Sequence, residues 1–600
     1  MKLFENKTYT LLPYKDFKLF SDAAPFPSAD SALGQQFIEK ANEALKSEIP
    51  QLYASVYRRF TEDGNRTDFE DAYFGRRTLL RTLLLGEITE NKNRYTDKII
   101  DLVWLMLEET SWVLPAHNHQ EYSLIAEDTK YTPLPLNYDG TYNFIDLFSA
   151  ETGTLLSLVY YFLKDKIEAK VPGAVNDRIV YAVNTRILAP FLRLENMWWM
   201  GKTGKRPNNW NPWIISNVLL CCACAEANDM QRSRITHKAL RILDAFIDPY
   251  AEDGGCNEGP HYWSEASGGL MDIFEILEDL TGGCPEIFET PLVYNMFDYI
   301  RKVHMTGNYF TTFADAAPEL YKDGLPYVLR MAKKTKNAQL YDFAAQLTPT
   351  LQFPYASRGH NYRIFKNLCT EIPAQTDYTP ADFDCLPNLQ IAVWRKGGFC
   401  AAIKGGHNGE SHNHNDVGNC IILHNAKPIF IDIGAPTYTK DLFSSKRYEV
   451  FPTASEYHNL PIVNGHTQKV GADYRANRFA ADVDSGVVDY TSAYGDETVR
   501  SCVREINVTE NSVSLHESIK ANGEIQLQYY MAKQPQMLEG NILALEGVNI
   551  TLPSDVNCSI EAVPLTDAKI IKNWHTDTLY KLVVVGKNAV DITLQIEPEI

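Results

Sequence analysis

No stretch of this 600-residue chain stays apolar long enough to span a bilayer, so a membrane-embedded fold is not expected. The first residues, Met1-Lys2-Leu3-Phe4-Glu5-Asn6-Lys7, lack the apolar core of a secretory leader. The expectation is a cytoplasmic protein, or one whose leader has been removed. No basic stripe runs through the sequence, and the net charge is −19, which speaks against nucleic acid as a partner. An acidic ligand stays open, because a cleft can be locally basic on an acidic protein. Arg76 with Arg77 and Arg81, Lys202 with Lys205 and Arg206, and Lys446 with Arg447 could line one, or could be solvated faces. Paired cysteines are also lacking. The count is eleven, an odd number, and several sit in apolar runs such as Cys221-Cys222-Ala223-Cys224. That favours reduced, buried thiols over a disulfide framework. The C-x-C pair at Cys222 and Cys224 has no second pair nearby and reads as helix packing. Low-complexity segments and fixed-period repeats are absent as well.

What is present is an ordinary globular composition, 45% hydrophobic and 22% charged. The length allows about two to four domains. Between about 30 and 350 the apolar residues recur at helical spacing. The segments are Ala32 to Lys46, Thr78 to Leu85, Ile99 to Leu107, Leu155 to Ile167 and Arg178 to Leu192. They continue with Trp213 to Ala227, Arg234 to Phe246, Gly269 to Leu280, Leu292 to Val303 and Leu325 to Leu347. Helices without strands between them must pack on one another, and a ring of helix pairs, an α/α toroid, is one arrangement. Past Leu389 the pattern changes to short strands separated by polar turns, as in Gln390-Ile391-Ala392-Val393-Trp394 and Phe399-Cys400-Ala401-Ala402-Ile403-Lys404. Such a series predicts antiparallel sheets packed as a sandwich. The boundary is expected between 350 and 388, giving a helical domain over 1–355 and a sheet domain over 356–600.

The chemistry-bearing residues gather in one stretch, Ser411-His412-Asn413-His414-Asn415-Asp416-Val417-Gly418, at the start of a hairpin pattern ending in Phe430-Ile431-Asp432-Ile433-Gly434. If this stretch is a strand, His412 and His414 share a face. His458 follows in Glu456-Tyr457-His458-Asn459-Leu460-Pro461. Two imidazoles and Asp432 suit a zinc ion, with a third imidazole left for chemistry; manganese or calcium would also accept a mixed set.

Three loops of the helical half add candidates. Pro207-Asn208-Asn209-Trp210-Asn211-Pro212-Trp213 precedes a helix; its asparagines either cap the helix or donate to a substrate carboxylate, with Asn209 and Asn211 favoured for function. Glu252-Asp253-Gly254-Gly255-Cys256-Asn257-Glu258-Gly259-Pro260-His261-Tyr262-Trp263 is glycine-rich, as suits close backbone approach to a ligand, and ends on a phenol without an obvious packing duty. Glu108 to His119 holds two carboxylates and two histidines, His117 and His119, for which substrate contacts or loop hydrogen bonds are favoured over a second metal. Tryptophans of this half, among them Trp112, Trp198, Trp210 and Trp213, serve equally as core or as stacking platforms for sugar faces.

Together the SHNHNDVGN, FIDIG, YHNLP, EDGGCNEGPHYW and NNWNPW segments resemble the heparinase II/III-type polysaccharide lyases over most of the chain. The resemblance implies an incomplete α/α toroid followed by an antiparallel β-sandwich, with the substrate cleft between them. It implies β-elimination at a uronic acid, of glycosaminoglycan or alginate type, leaving a 4,5-unsaturated sugar and using no organic cofactor. By residue it implies Asn209 as the group that neutralises the substrate carboxylate, Tyr262 as the tyrosine acting as base, acid or both, and His412 as the catalytic histidine. It implies His414, Asp432 and His458 as zinc ligands that shape the cleft. Arg77, His117, Asn211, Glu258, Tyr438 and Arg447 are the candidates for substrate contact. One position departs: a histidine follows the neutralising Asn in several members, whereas Trp210 stands here, so base work falls to His412 and Tyr262. That argues against action on both glucuronate and iduronate linkages. The partner expected is an acidic oligo- or polysaccharide, with homodimerisation an open option. The alternatives are a glycoside hydrolase using Glu258, Asp253 or Glu109, and a sugar-binding protein without turnover.

Overall fold

The computed structural model describes residues 2–118, 133–135, 144–202, 204, 206–319, 325–348, 358–439 and 441–599. The chain divides into two compact units, and not by a single cut near 355. The first is Met1–Tyr250, Glu265–Thr290 and Lys322–Gln375; the second is Ala251–Ser264, Pro291–Tyr321 and Thr376–Ile600. Two excursions, 251–264 and 291–321, therefore belong with the sheets although their sequence surroundings are helical. Hydrogen bonds explain why. Asp253 accepts the backbone amides of Asn388 and Leu389 at 2.8 and 3.1 Å. Arg395, buried on its strand, donates to the carbonyls of Lys302 and His304. Leaving those buried carbonyls unmet would be costly, so the excursions stay with the strands that satisfy them.

The first unit is helical. Ala32–Lys46 packs on Thr67–Glu90, and Leu147–Lys170 packs on Trp210–Ala225, which packs in turn on Asp229–Ile247. Asp146 opens the Leu147–Lys170 helix with a capping box shared with Ser149. The long expected helix Leu325 to Leu347 is two helices, Pro326–Thr335 and Ala338–Leu347. Lys336 takes a left-handed φ of 56° between them, and Asn337 caps the second through the amide of Leu340. Asn361–Leu368 forms a helix the apolar spacing did not predict, because Arg363 and Lys366 are buried on it as partners of Asp272 and Asp22. The cysteines at 221, 222 and 224 are buried free thiols on the Trp210–Ala225 helix, where burial pushes Cys221 up to about 12. No described helix is long and apolar enough to cross a membrane.

The second unit is a two-sheet sandwich. Phe383–Leu386, Ile391–Lys396, Phe399–Lys404, Cys420–His424 and Lys427–Phe430 pair antiparallel in chain order. The larger sheet is built around the long antiparallel pair Val513–Met531 and Thr578–Pro598. Trp394, Ile403, Ile422 and Phe430 of the small sheet join Val488, Ile506, Leu515, Tyr529 and Leu594 of the large one in a single apolar core. Gly486 is needed within its strand there because a Cβ would lie 2.6 Å from the Trp394 indole. Within this core Arg504 and Glu517, neither exposed to solvent, form an ion pair at 2.5 Å. Arg504 also donates to the carbonyls of Gly418 and Asn459 at 2.5 and 2.7 Å, residues that flank the histidine loop and His458. The core thus reaches directly into the backbone that carries the candidate ligands.

Candidate functional site

The stretch 411–418 is a loop and not a strand, so period-two alternation does not place His412 and His414 on one face. His412 instead holds a left-handed φ of 55°. For a residue with a full side chain that conformation is strained and persists only where the surroundings enforce it. Lys404 is one enforcer. Its ammonium, almost wholly buried, meets Asp416 at 2.5 Å and Glu410 at 3.1 Å, one carboxylate at each end of the loop. Burial works against its charge, but Asp416 and Glu410 outweigh that and hold the ammonium above its ordinary range.

What gathers the histidines is Asp315, a buried carboxylate that sequence reasoning missed. Nδ1 of His412 lies 2.8 Å from its Oδ2, and Nε2 of His414 lies 3.0 Å from its Oδ1. Tyr438 donates to Oδ2 at 2.9 Å and Arg447 to Oδ1 at 2.8 Å. Burial pushes this carboxyl up; the bonds from His412 and His414 and the Arg447 charge outweigh it and hold the group well below the usual carboxylate range. The only hint in the sequence is an acid set among alanines, Phe313-Ala314-Asp315-Ala316-Ala317, in a run otherwise fit for a core.

Tyr262 stands in the first turn of the helix Pro260–Thr281. Its ring stacks on His412 with centroids 3.9 Å apart and planes within 20°. The Tyr262 hydroxyl lies 2.5 Å from that of Tyr438. Because the Tyr438 proton goes to Asp315, the Tyr262 proton points to the Tyr438 oxygen. Burial first, then Tyr262 and Asp315, push the Tyr438 phenol well above its usual range, so it stays a donor. Glu258 is buried with Oε2 at 3.4 Å from Nε2 of His412. Glycine serves packing here: at Gly259, φ is 88° and a Cβ would lie 2.8 Å from the Phe313 carbonyl oxygen, so this loop approaches backbone rather than a ligand. Arg447 is no free cation for substrate. Its other nitrogens donate to the carbonyls of Asn413 and Leu442, and its charge faces Asp315.

His414, Asp432 and His458 form a second, fully buried group whose ligand atoms all lie within 4.8 Å of one another. Nδ1 of His414 and Nε2 of His458 are buried with no hydrogen-bond partner, which is costly for a polar core atom and is what a bound cation would relieve. Burial lowers the His414 imidazole and keeps its lone pair available despite the Asp315 bond. Burial raises Asp432, yet the adjacent His458 and His414 bring it below its ordinary range. Asp432 accepts from the Asn419 amide at 2.5 Å and from the Gly434 backbone N–H at 2.9 Å, which fixes the carboxylate's orientation. Two imidazoles and one anchored carboxylate fit zinc.

The other candidates belong to the first unit. Asn209 is buried at the start of the helix Trp210–Ala225 without capping it through its side chain; Asn208 takes the cap-like role by accepting from the Trp210 amide at 3.1 Å. Asn211 has no exposed surface, and its amide donates to the carbonyls of Trp199 and Ile242, which is a packing duty. Arg77 is buried against Glu109 at 2.6 Å and over the Tyr73 ring, so its charge is already met. His117 bonds Asp146 at 2.7 Å and sets its ring 4.7 Å from Trp210, beside Trp198 at 5.0 Å from the same indole. Glu108 pairs with Arg178 and Glu109 with Arg76 and Arg77. His119 and Lys205, also singled out in the sequence, lie outside the described residues.

Residues 379–563 match the family described as Heparinase II/III-like, C-terminal. No curated protein matches the chain in sequence. Among solved structures, heparinase III is similar with a TM-score of 0.61 at 12% identity, covering 99% of this chain and 88% of that one. Heparan sulfate lyase HepC from Pedobacter heparinus gives 0.57 at 13% identity, covering 97% and 85%. A chondroitin AC lyase of Streptomyces coelicolor A3, solved with chondroitin sulphate, gives 0.57 at 12% identity, covering 96% and 81%. The fold is that of an incomplete α/α toroid followed by an antiparallel β-sandwich.

Proposed function

We propose that this chain, which carries a heparinase II/III-like C-terminal domain over residues 379–563, is a polysaccharide lyase that cleaves uronate-containing glycans by β-elimination. The observation that carries the reading is the stacked Tyr262–His412 pair, with both side chains tethered to the Asp315 network. Elimination needs two proton transfers. One removes the C5 proton beside the uronate carboxylate; the other protonates the oxygen leaving C4 as the 4,5 double bond forms, and no water is consumed. A phenol and an imidazole held side by side can share those transfers. Tyr262 gives its proton to the departing oxygen, and Tyr438, kept protonated, turns its hydroxyl toward the resulting phenolate. His412, held by Asp315 through Nδ1, leaves Nε2 to act at the C5 side. Charge building on the carboxylate needs a donor, and we assign this to Asn209 on the resemblance of the NNWNPW loop.

The substrate class is an acidic oligo- or polysaccharide of glycosaminoglycan or alginate type. His414, Asp432 and His458 would hold zinc, which supplies a fixed positive charge that locks the surrounding loops. Purified protein should carry about one zinc per chain, and His458→Ala should lose it; a metal-free wild type that is equally stable to chelator would remove the metal from the account. The hydrolase alternative is weaker on geometry, because Asp253 is spent on backbone amides and Glu109 on two arginines. A panel of uronate polymers and oligomers, followed in the ultraviolet for the conjugated unsaturated product, tests the reading. Growth of that band on at least one member is expected; sugar release without it would indicate hydrolysis.

A further inference from the structure

We propose that Asp315 is a positioning residue that joins the metal-ligand cluster to His412, so that an ion bound at the first sets the ring of the second. The inference rests on the roles given above to His412 and His414. An ionised carboxylate only accepts hydrogen bonds, so each imidazole nitrogen facing Asp315 carries a proton. These are Nδ1 of His412 and Nε2 of His414. One side chain therefore fixes, in both rings, the nitrogen that carries a proton toward it. For His414 this leaves the lone pair of the neutral ring on Nδ1, which is the buried atom without a partner. For His412 it leaves Nε2 as the atom turned away from Asp315, toward Glu258.

The carboxylate has no spare capacity. Two imidazoles, Tyr438 and Arg447 fill its lone pairs, about four in all. Neither ring can swing away without stranding an acceptor in a buried place. Its loop is fixed to the ligand cluster a second time: the Thr312 hydroxyl donates to the carbonyl of Asp432 at 3.1 Å. Ala316 accepts from the Ala435 amide at 2.9 Å, and a Cβ on Gly434 would lie 2.5 Å from that same carbonyl oxygen, so glycine is required there. A metal ligand's outer hydrogen bond commonly goes to a carboxylate. Here the same carboxylate also holds the histidine that stacks on Tyr262, which makes the two groups one mechanical unit.

The test uses the full chain labelled with heavy nitrogen in histidine, stripped with chelator and titrated with zinc. Ring-nitrogen spectra, assigned with His412→Gln and His414→Gln, report the tautomers, and a competing indicator dye reports affinity. In the wild type, zinc should move the His412 signals together with those of His414 and His458. In Asp315→Asn, zinc should bind about 10–100-fold more weakly and the His412 signals should no longer follow it; Asp315→Glu should restore part of the affinity. Wild-type His412 signals that ignore zinc would overturn the proposal, and this holds even if Asp315→Asn fails to fold. So would an Asp315→Asn protein that binds zinc as tightly as wild type. Neither readout uses turnover. Coupled signals in a protein inactive on every uronate glycan would therefore support the role of Asp315 and defeat the lyase reading.

Discussion

Tyr262→Phe should lower turnover on a uronate glycan by about 10²–10⁴-fold, the usual contribution of a positioned proton donor or acceptor. The change removes one oxygen and leaves the ring, so the stack on His412 at 3.9 Å is kept. Tyr438 loses a neighbour at 2.5 Å but retains its bond to Asp315. The zinc ligands are not touched. Rate should thus fall while melting temperature and metal content stay near those of the wild type. The measurement is initial rate in the ultraviolet beside a thermal melt and metal analysis of the same sample. A variant that turns over normally would move the proton chemistry off this phenol.

Lys404→Met should destabilise the second unit by about 3–5 kcal/mol, because it strands two buried carboxylates that the ammonium now neutralises. Asp416 has no exposed side-chain surface, and Glu410 little. Both would face a thioether in place of a cation. Since these carboxylates sit at the two ends of the histidine loop, turnover should fall as well, through loss of the strained His412 backbone. Urea unfolding compared between variant and wild type gives the size. A companion variant supplies the control: Lys404→Met with Glu410→Gln and Asp416→Asn removes all the charges together and should recover most of the stability. A single variant as stable as wild type would show that the clamp is not what holds the loop.

Much of this was legible in the sequence, for reasons that are local. The helical half announces itself through 3.6-residue spacing, and Ala32–Lys46 begins and ends where that spacing does. The hairpin Cys420–His424 with Lys427–Phe430, and Asp432 just beyond it, follow from a run of apolar residues broken by Asn425-Ala426-Lys427. The residue types marked three imidazoles and Asp432 without saying which two imidazoles join the carboxylate; only the resemblance of the SHNHNDVGN, FIDIG and YHNLP segments singled out His414, Asp432 and His458 as the group that comes together. What was illegible depends on distant partners. Asp315 lies 97 positions from His412 and 132 from Arg447, and nothing near it in sequence marks it as a hub. Arg447 and Arg77 read as open cations because the acids that meet them, Asp315 and Glu109, are remote in the chain. Asn211 looked like a substrate donor for the same reason: the carbonyls of Trp199 and Ile242 that occupy it come from other helices. His412 misled in another way. Alternation assumes extended backbone, and its positive φ is enforced by tertiary contacts that spacing does not encode.

Elimination at the bond next to a uronic acid takes up no water, whereas hydrolysis adds one. Cleavage of a defined uronate oligosaccharide in heavy-oxygen water, with mass spectrometry of both fragments, reads that directly. Elimination gives two fragments whose masses add up to that of the intact substrate, neither carrying solvent oxygen, and this is the expected result. One fragment gaining an oxygen from the labelled water would contradict it.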